Sequence, residues 1–454
     1  MQDFKHLTSK GRFSFSSLKR RQKAAPRNSF KRLEEPKPRK TRLRVMLPLL
    51  AAAIASYPIF SSVFSGRPAV SSTSQDTDST SKLPRDLDVF SSFRLGAGLL
   101  PTARFDGNRF TAPIPEGGTI VYSIDNELQQ RVEQVMAQFD VPYGVFVAIE
   151  PKTGKVLALA SHSSMSPAWA ERAYYGVYPM ASLFKIVTAT AALEQGKVTP
   201  DTVIPFRGGL YSESSRYWST LPKRGAQEMD LTTAMGKSVN PVFGRLASDI
   251  AGRESVLRCA ERYGFNHYLL PGTPVQPSKA EHPQTEDDLR LMGAGLGREV
   301  KISPVHAAVM MAAIANGGTM LAPSLVDEIR NTKDKVTYTH VPRTIRSIAA
   351  PEVTAQLSQM LSSSVTRGTS RRAFHDSHGR PKIANINIAA KTGSINGTDP
   401  EGHYSWFAAY APIENPQIAL AALVVNPDKW KIKAPYLGEQ ALEAFFMRGP
   451  ESRR

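Results

Sequence analysis

A serine and a lysine three residues apart, Ser182 and Lys185, could support a reaction in this 454-residue chain. They stand at the head of an apolar run that ends at Gly196, which predicts a helix entered at about Ser182. Residues three apart on a helix are neighbours, and a desolvated lysine can take the proton of a serine hydroxyl. On its own, however, the tetrapeptide favours a helix-capping serine beside a solvated lysine.

Two further motifs follow in chain order. Ser238 and Asn240 precede an apolar helix, where Asn240 taken alone reads as a helix cap with Pro241 in the first helical position. Later, Lys391-Thr392-Gly393-Ser394 follows an apolar segment that predicts a strand. Ser-x-x-Lys, Ser-x-Asn and Lys-Thr-Gly in this order form the motif set of the serine penicillin-recognising enzymes. Their joint occurrence favours the catalytic interpretation of each one.

The elements around these motifs predict an antiparallel sheet built from both ends of one domain. Residues 143–150 and 155–161 are β-rich runs around a Pro/Gly turn, which indicates a hairpin directly before the serine helix. Residues 405–412 and 418–426 form a second such pair, and apolar residues recur at helical spacing over 128–139 and 437–445. Ser303-Pro304 begins another helix, which ends near Gly317.

The N-terminal part of the chain has a different composition. The formal net charge of +17 is concentrated in residues 1–44, which lack apolar periodicity and are predicted to be a disordered cytoplasmic tail. Residues 45–64 carry no charge and predict an uncleaved transmembrane anchor, oriented by the basic flank. Residues 65–117 are rich in Ser, Thr, Pro and Gly and predict a linker with a small element around residues 89–100, so the catalytic domain is expected at 118–450.

Composition also excludes some classes of function. The basic tail lacks a nucleic-acid-binding motif, so no nucleic-acid partner is expected. The single cysteine, Cys259, excludes an intrachain disulfide and an all-cysteine metal site.

The chain resembles the penicillin-binding proteins, specifically the transpeptidase domain of the high-molecular-mass class, over about residues 119–446. Besides the three motifs, the similarity includes the hairpin at 147–158, the end of the serine helix at 192–201, the glycine turn at 293–297 and Ser405-Trp406-Phe407. The resemblance implies an α+β fold of the β-lactamase/transpeptidase type. Its five-stranded antiparallel sheet carries helices on both faces, and the active site lies between the sheet and an all-helical lobe.

The resemblance also implies the catalytic roles. Ser182 would be the acylated nucleophile, Lys185 its base, and Ser238 the relay of the proton to the leaving amine. Backbone N–H groups of Ser182 and Ser394 would form the oxyanion hole. No metal and no cofactor is needed.

Substrate binding is implied for the remaining motif residues. Asn240 would hydrogen-bond the substrate backbone, while Lys391, Thr392 and Ser394 would bind its terminal carboxylate. Gly393 would leave room for the substrate along the strand edge.

The predicted anchor and its basic flank imply a single-pass protein of the inner membrane whose catalytic domain is extracytoplasmic. The resemblance implies its activity. It would be acylated by the D-Ala-D-Ala end of peptidoglycan stem peptides, cross-link them, and be inhibited covalently by β-lactams. A glycosyltransferase or other cell-wall machinery is the expected partner. Two residues depart from the family pattern: Ala294 replaces a glutamine, and Ser394 replaces a threonine but keeps its hydroxyl.

Other activities use the same motifs. A D,D-carboxypeptidase would pass the acyl group to water. A class A β-lactamase needs a deacylating glutamate with a partner asparagine, which is missing at Glu254, Glu261, Glu281, Glu286 and Glu299. A class D enzyme needs Tyr-Gly-Asn, whereas Phe265 follows Gly264 here. A β-lactam sensor or a non-catalytic cell-wall scaffold is the alternative from another class of protein.

Overall fold

A computed structural model describes residues 87–215, 218 and 226–447, which belong to one compact unit. The predicted tail (1–44) and anchor (45–64) lie outside the described residues, as does the first part of the predicted linker. Within the described part of the chain, no helix combines the length and apolar character needed to cross a membrane.

The helices alternate with short strands along the chain. The helices are α1 Val89–Leu99, α2 Asn126–Gln138, α3 Pro167–Ala170, α4 Lys185–Leu193, α5 Leu231–Lys237, α6 Asn240–Arg245, α7 Arg253–Arg262, α8 Glu286–Gly293, α9 Pro304–Ala315, α10 Pro351–Thr366, α11 Arg371–Phe374 and α12 Ala434–Phe446. The strands are β1 Arg104–Phe105, β2 Phe110–Pro113, β3 Thr119–Tyr122, β4 Tyr143–Ile149, β5 Val156–His162, β6 Tyr178–Pro179, β7 Val203–Phe206, β8 Gln227–Asp230, β9 Lys301–Ile302, β10 Thr319–Leu321, β11 Val326–Arg330, β12 Val336–Thr339, β13 Thr344–Ser347, β14 Ala389–Thr398, β15 Glu401–Ala411 and β16 Ile418–Asn426.

A five-stranded antiparallel sheet in the order β14-β15-β16-β4-β5 forms the centre of the fold. Its strands come from both ends of the domain, and both predicted hairpins are present, so this expectation is confirmed. Every residue of β16 is buried. Because side chains alternate between the faces of a strand, Ala421 packs into one apolar cluster and Ala422 into another. Helices therefore cover both faces, with α2 and α12 on one side and α9 on the other.

The lobe opposite the sheet is built mainly from α4 to α8. It is not wholly helical as expected, since β7 and β8 pair within it. The β-branched residues Val203 and Ile204 favour a strand. In the β7–β8 pair, Val203 lies opposite Asp230 and Ile204 lies opposite Met229. Asp230 then caps α5 by accepting a hydrogen bond from the Thr233 N–H.

The described part of the predicted linker is ordered, which moves the start of the catalytic unit from residue 118 to about residue 89. The Phe93 ring on α1 is fully buried, and the Tyr122 hydroxyl donates to the Gly96 carbonyl at 2.9 Å. β1 and β2 add to a second sheet, in the order β1-β2-β3-β11-β12, through Ala112 opposite Ile120. The small element expected around residues 89–100 is therefore present as α1, but it belongs to the compact unit and not to a linker.

The two edge strands of the central sheet, β5 and β14, have different neighbours. At β5, the Gln129 side chain of α2 accepts from the Leu159 N–H at 2.9 Å and donates to the Leu159 carbonyl at 3.2 Å. The Asp125 N–H donates to the Leu157 carbonyl at 2.8 Å. At the other edge, β14 faces the turn that carries Ser182.

Candidate active site

Ser182 lies in a 3-10 turn over Ala181–Phe184 that leads directly into α4. In a 3-10 turn the side chains at positions i and i+3 eclipse one another, so Ser182 and Lys185 align more closely than in an α-helix. Their Oγ and Nζ atoms lie 2.7 Å apart. Neither helical segment has a side-chain cap, so the capping interpretation of Ser182 is wrong. The serine is instead partly exposed at the cleft.

Lys185 is fully buried and hydrogen-bonded to two carbonyl oxygens. Its Nζ donates to Asn240 Oδ1 at 2.7 Å and to the Ala294 backbone carbonyl at 2.6 Å. A neutral amine has one N–H for each of these acceptors and one lone pair, which leaves the lone pair for the Ser182 hydroxyl. This arrangement suits a proton acceptor.

Burial lowers the pKa of both lysines in the site. Desolvation lowers the pKa of Lys185 well below its usual value, and the positive charge of Lys391 lowers it further. Desolvation also lowers the pKa of Lys391, to about 7. Two buried amines in one cleft oppose each other's protonation, so the site favours a neutral Lys185 beside a chargeable Lys391.

Ser238 and Asn240 enter the site from the turn between α5 and α6. Ser238 has a left-handed backbone at φ 58° where α5 ends, which directs its hydroxyl to within 2.8 Å of Lys391 Nζ. Asn240 is the first residue of α6, after Val239 at the cap position, and its side chain contacts Lys185 rather than the helix N-terminus. The capping interpretation of Asn240 is therefore wrong as well.

The Lys-Thr-Gly motif lies within β14, which continues to Thr398 instead of ending at the motif. Lys391 is buried and bonds Ser238, whereas the half-buried Thr392 bonds the hydroxyl of Thr369 at 2.6 Å. Ser394 is exposed and pairs with Ser405 of β15. The structure thus brings together all eight predicted site residues, from three segments of the chain: 182–185, 238–240 and 391–394.

Two glycines allow the elements to approach this closely. A Cβ on Gly393 would lie 3.1 Å from the Ala181 Cβ and 3.2 Å from the Trp406 Cβ, so glycine lets β14 lie against the serine turn. Gly295 has φ +73°, and a Cβ there would lie 2.4 Å from the Ala181 carbonyl oxygen. The backbone of the glycine turn therefore packs directly against the backbone that carries Ser182, and this close approach requires glycine.

Sequence reasoning missed two contributors. Thr369 links β14 to α5, because its hydroxyl bonds Thr392 and its N–H donates to the Gly236 carbonyl at 3.0 Å. No pattern around this threonine marks it in the sequence. The Ala294 carbonyl was missed because a backbone acceptor leaves no mark on residue type. Its role also shows why alanine suffices at this position.

Comparisons with known proteins match most of the described part of the chain. The family model described as "Penicillin binding protein transpeptidase domain" matches residues 144–442. The chain is 29% identical over 352 residues to "Peptidoglycan D,D-transpeptidase PbpA" of Mycobacterium tuberculosis, covering 70% of this chain and 69% of that protein.

Solved structures of a protein from the same organism are also similar. The crystal structure of PBPA from Mycobacterium tuberculosis has 25% identity and a TM-score of 0.60, covering 73% of this chain and 85% of that one. The penicillin G acyl-enzyme complex of penicillin-binding protein A has 26% identity and a TM-score of 0.58, covering 78% and 85% of the two chains.

Proposed function

This chain belongs to the penicillin-binding protein transpeptidase family, and from that premise we propose that it is a membrane-anchored serine D,D-transpeptidase of peptidoglycan synthesis. Ser182 is acylated by the D-Ala-D-Ala end of a stem peptide, and an amine of a neighbouring stem peptide then takes the acyl group. The observation that carries this proposal is the 2.7 Å contact between Ser182 Oγ and the buried, carbonyl-bonded Lys185 Nζ.

Acylation begins with proton transfer from the Ser182 hydroxyl to the lone pair of Lys185 Nζ. The serine oxygen attacks the carbonyl carbon between the two D-alanines, and charge develops on the carbonyl oxygen. Backbone N–H groups of Ser182 and Ser394 stabilise that charge, an interaction worth about 3 kcal/mol for each donor in comparable acyl transfers. Gly393 supports this arrangement, since it lets β14 approach the serine turn.

Collapse of the intermediate breaks the bond to the terminal D-alanine. The leaving nitrogen needs a proton, and Ser238 supplies it by relay from Lys185. Lys391 Nζ donates a 2.8 Å hydrogen bond to Ser238 Oγ. Because the Ser238 oxygen accepts this bond, the Ser238 hydroxyl proton can be donated to the leaving nitrogen. The products are an acyl-serine ester and free D-alanine.

The carboxylate of the terminal D-alanine is bound by Lys391 with the hydroxyls of Thr392 and Ser394. A fixed cation beside short donors suits this group. Asn240 hydrogen-bonds the backbone of the acyl donor. β-Lactams carry a carboxylate and a reactive carbonyl in a comparable arrangement, so they acylate Ser182 and remain attached.

The organisation of the whole chain supports a membrane location. We propose residues 1–44 as the cytoplasmic tail, 45–64 as the single span, about 65–88 as a linker, and the rest to 450 as the extracytoplasmic catalytic unit. We propose a glycosyltransferase of the cell-wall machinery as its partner. Protease added to intact spheroplasts is expected to remove the catalytic unit and leave the tail protected. Protection of the catalytic unit would contradict this topology.

Covalent labelling by a fluorescent penicillin tests the proposed chemistry. We expect stable labelling of the full chain that is lost in Ser182→Ala, with D-alanine release and cross-linked muropeptides formed from lipid-linked substrate. The β-lactamase alternative predicts rapid nitrocefin turnover, and the carboxypeptidase alternative predicts trimmed but uncross-linked peptides. Full complementation of a deletion strain by Ser182→Ala would favour the scaffold.

A further inference from the structure

The indole of Trp406 ties the central sheet to the segment that leads into Ser182. Trp406 lies on β15 opposite Gly393 of β14, and its side chain is fully buried. Paired residues of antiparallel strands project to the same face, so the indole lies on the face that meets the serine turn. Its Nε1–H donates to the Pro179 carbonyl oxygen at 2.9 Å. A side chain of the sheet thus holds the backbone just before the nucleophile.

A second set of bonds fixes the same segment to another element. Pro179 ends β6, and Lys301 of β9 is its register partner. The Met180 N–H donates to the Val300 carbonyl oxygen at 2.9 Å. The backbone at residues 179 and 180 is therefore bonded both to β15, through the indole, and to the chain around β9.

The next residue has a backbone that needs such support. Ala181 has φ +54°, in the left-handed region that residues with a Cβ rarely adopt. Strained backbone of this kind persists only where its surroundings hold it, and it is concentrated at functional sites. Ala181 is preceded by the indole bond to Pro179, and the Gly295 backbone packs against its carbonyl. The strained residue therefore connects a held segment to the nucleophile.

The Trp406–Pro179 bond joins the two elements that supply the oxyanion hole in the proposed mechanism. One donor is the Ser182 N–H, which follows Ala181 directly in the 3-10 turn. The other is the Ser394 N–H on β14, whose register partner on β15 is Ser405, next to Trp406. A hydrogen bond from β15 to the entry of the turn therefore sets the distance between two donors that belong to separate elements.

We propose that Trp406 is a positioning residue of the oxyanion hole, because its indole N–H holds the turn in the geometry at which both donors reach one oxygen. The inference rests on the proposed function and adds a residue to the same site. The indole bonds Pro179 and not the nucleophile, so it acts through the position of Ser182. Loss of the N–H alone lets Ala181 relax toward negative φ and turns the Ser182 N–H away from the carbonyl oxygen.

An isosteric replacement isolates this hydrogen bond. Trp406→benzothienylalanine, introduced into the full chain by nonsense suppression, keeps the bicyclic ring and replaces the N–H by sulfur. Trp218→benzothienylalanine is the matched control, since Trp218 is also fully buried but its Nε1 meets no acceptor among the residues that the structure describes. The two variants make the same chemical change in two buried indoles, of which only Trp406 donates to the nucleophile segment.

The rate of penicillin G acylation and the affinity for a boronic acid report on the oxyanion hole. In an acylaminomethyl boronic acid, the boron bonds Ser182 Oγ and becomes tetrahedral, with a hydroxyl in the place of the oxyanion. We expect Trp406→benzothienylalanine to lower both quantities by about tenfold to a hundredfold, between the loss of one hydrogen bond and the displacement of a nucleophile by about 1 Å. Trp218→benzothienylalanine should leave both unchanged. A purely structural role of Trp406 would lower the melting temperature and leave both quantities unchanged in the folded protein.

Coupling to Ala181 distinguishes positioning from packing. Glycine adopts positive φ without steric cost, so Ala181→Gly should make the turn less dependent on the indole. We expect removal of the Trp406 N–H to slow acylation several-fold less when it is combined with Ala181→Gly than on its own. Equal slowing in both backgrounds would show that the indole does not hold the strained residue.

Acylation of the Trp406 variant at the unmodified rate would overturn the inference, as would equal slowing by the Trp406 and Trp218 replacements. Either result, with stable labelling of the unmodified chain, leaves the proposed function intact. Absence of labelling in the unmodified chain contradicts the proposed function instead. The inference is then read from hydrogen exchange of the peptide that contains residues 178–185, which should be faster in the Trp406 variant than in the Trp218 variant. Equal exchange would refute the positioning role.

Discussion

Lys185 combines full burial with two hydrogen bonds to carbonyl oxygens, which is an unusual environment for a lysine. Burial of an unpaired ammonium is costly, so the neutral amine is the form that this site accommodates. The three-residue spacing between Ser182 and Lys185 was enough to predict that their side chains lie close together, because residues at i and i+3 are neighbours in any helical turn. The carbonyl partners could not be predicted, because they come from segments far away in the sequence.

Lys185→Gln tests the base at this position. The glutamine amide can still donate to Asn240 and Ala294 but cannot accept the serine proton, so penicillin acylation of Ser182 should slow by about a hundredfold to ten-thousandfold. The melting temperature serves as the control for folding. A folded Lys185→Gln protein that is labelled at the unmodified rate would show that another group takes the proton.

The pKa of Lys391 predicts how acylation depends on pH. Because burial lowers that pKa to about 7, the free protein loses the Lys391 cation as pH rises through 7, and acylation by a carboxylate-bearing β-lactam should fall. At low pH, acylation should fall again when Lys185 becomes protonated. The second-order acylation constant for penicillin G, measured across this range, gives both limbs.

Lys391→Arg provides the matched variant, since a guanidinium stays charged to about pH 12. Its alkaline limb should move upward even if its absolute rate is lower. An alkaline limb at the same pH in both proteins would assign the titration to a different group.

At the scale of elements, the site depends on how closely the glycine turn at 293–297 approaches the 3-10 turn. Motif chemistry identified the three elements that carry catalytic side chains, because serine, lysine and asparagine are recognisable in a sequence. Some contacts between those elements are made by backbone and by glycine, which leave no side chain to recognise, and the Ala294 carbonyl could not be predicted for this reason. Thr369 acts through its hydroxyl, but no pattern in the surrounding sequence distinguishes it from other threonines.

Gly295→Ala tests this contact. The new Cβ would lie 2.7 Å from the Ser182 Cα, so the nucleophile must shift, and a misplacement of about 1 Å costs about a hundredfold in rate. We expect a comparable loss of penicillin acylation.

Gly317→Ala is the matched control for Gly295→Ala. Gly317 has a similar backbone at φ +62°, but a Cβ there meets nothing within 4 Å. Both variants should lose stability from left-handed strain of about 1 kcal/mol, measured by denaturant unfolding. Equal acylation rates in the two variants would contradict the supporting role of Gly295.

At the scale of the whole molecule, the catalytic unit includes residues that composition assigned to a linker. The sheet topology of residues 143–162 and 389–426 was predictable because apolar, β-rich runs separated by turns that contain Pro or Gly are strong local signals. A small element was expected at the position of α1, but the packing of α1 and β2 into this unit was not, because it depends on distant partners such as Tyr122 and Ile120. The basic tail and the apolar segment remain predictions of sequence.

Phe93→Ala tests whether α1 belongs to the catalytic unit. The ring is fully buried, so its removal should lower the free energy of unfolding by about 3–5 kcal/mol. Phe105→Ala is the control, because that ring is 39% exposed and should contribute far less. Denaturant unfolding followed by tryptophan fluorescence compares them, and equal losses would mean that α1 folds independently of the rest.

The hydrogen bonds between Gln129 and Leu159 protect one edge of the central sheet from pairing with a second copy of this protein. An uncovered strand edge is a template on which another chain can add a strand and begin to aggregate. On β5, the side chain of Gln129 and the backbone of Asp125 already occupy these pairing positions. Growth of the sheet is thereby blocked at the edge remote from the cleft. In the proposed function, strand addition then takes place on β14, where the incoming peptide is the substrate.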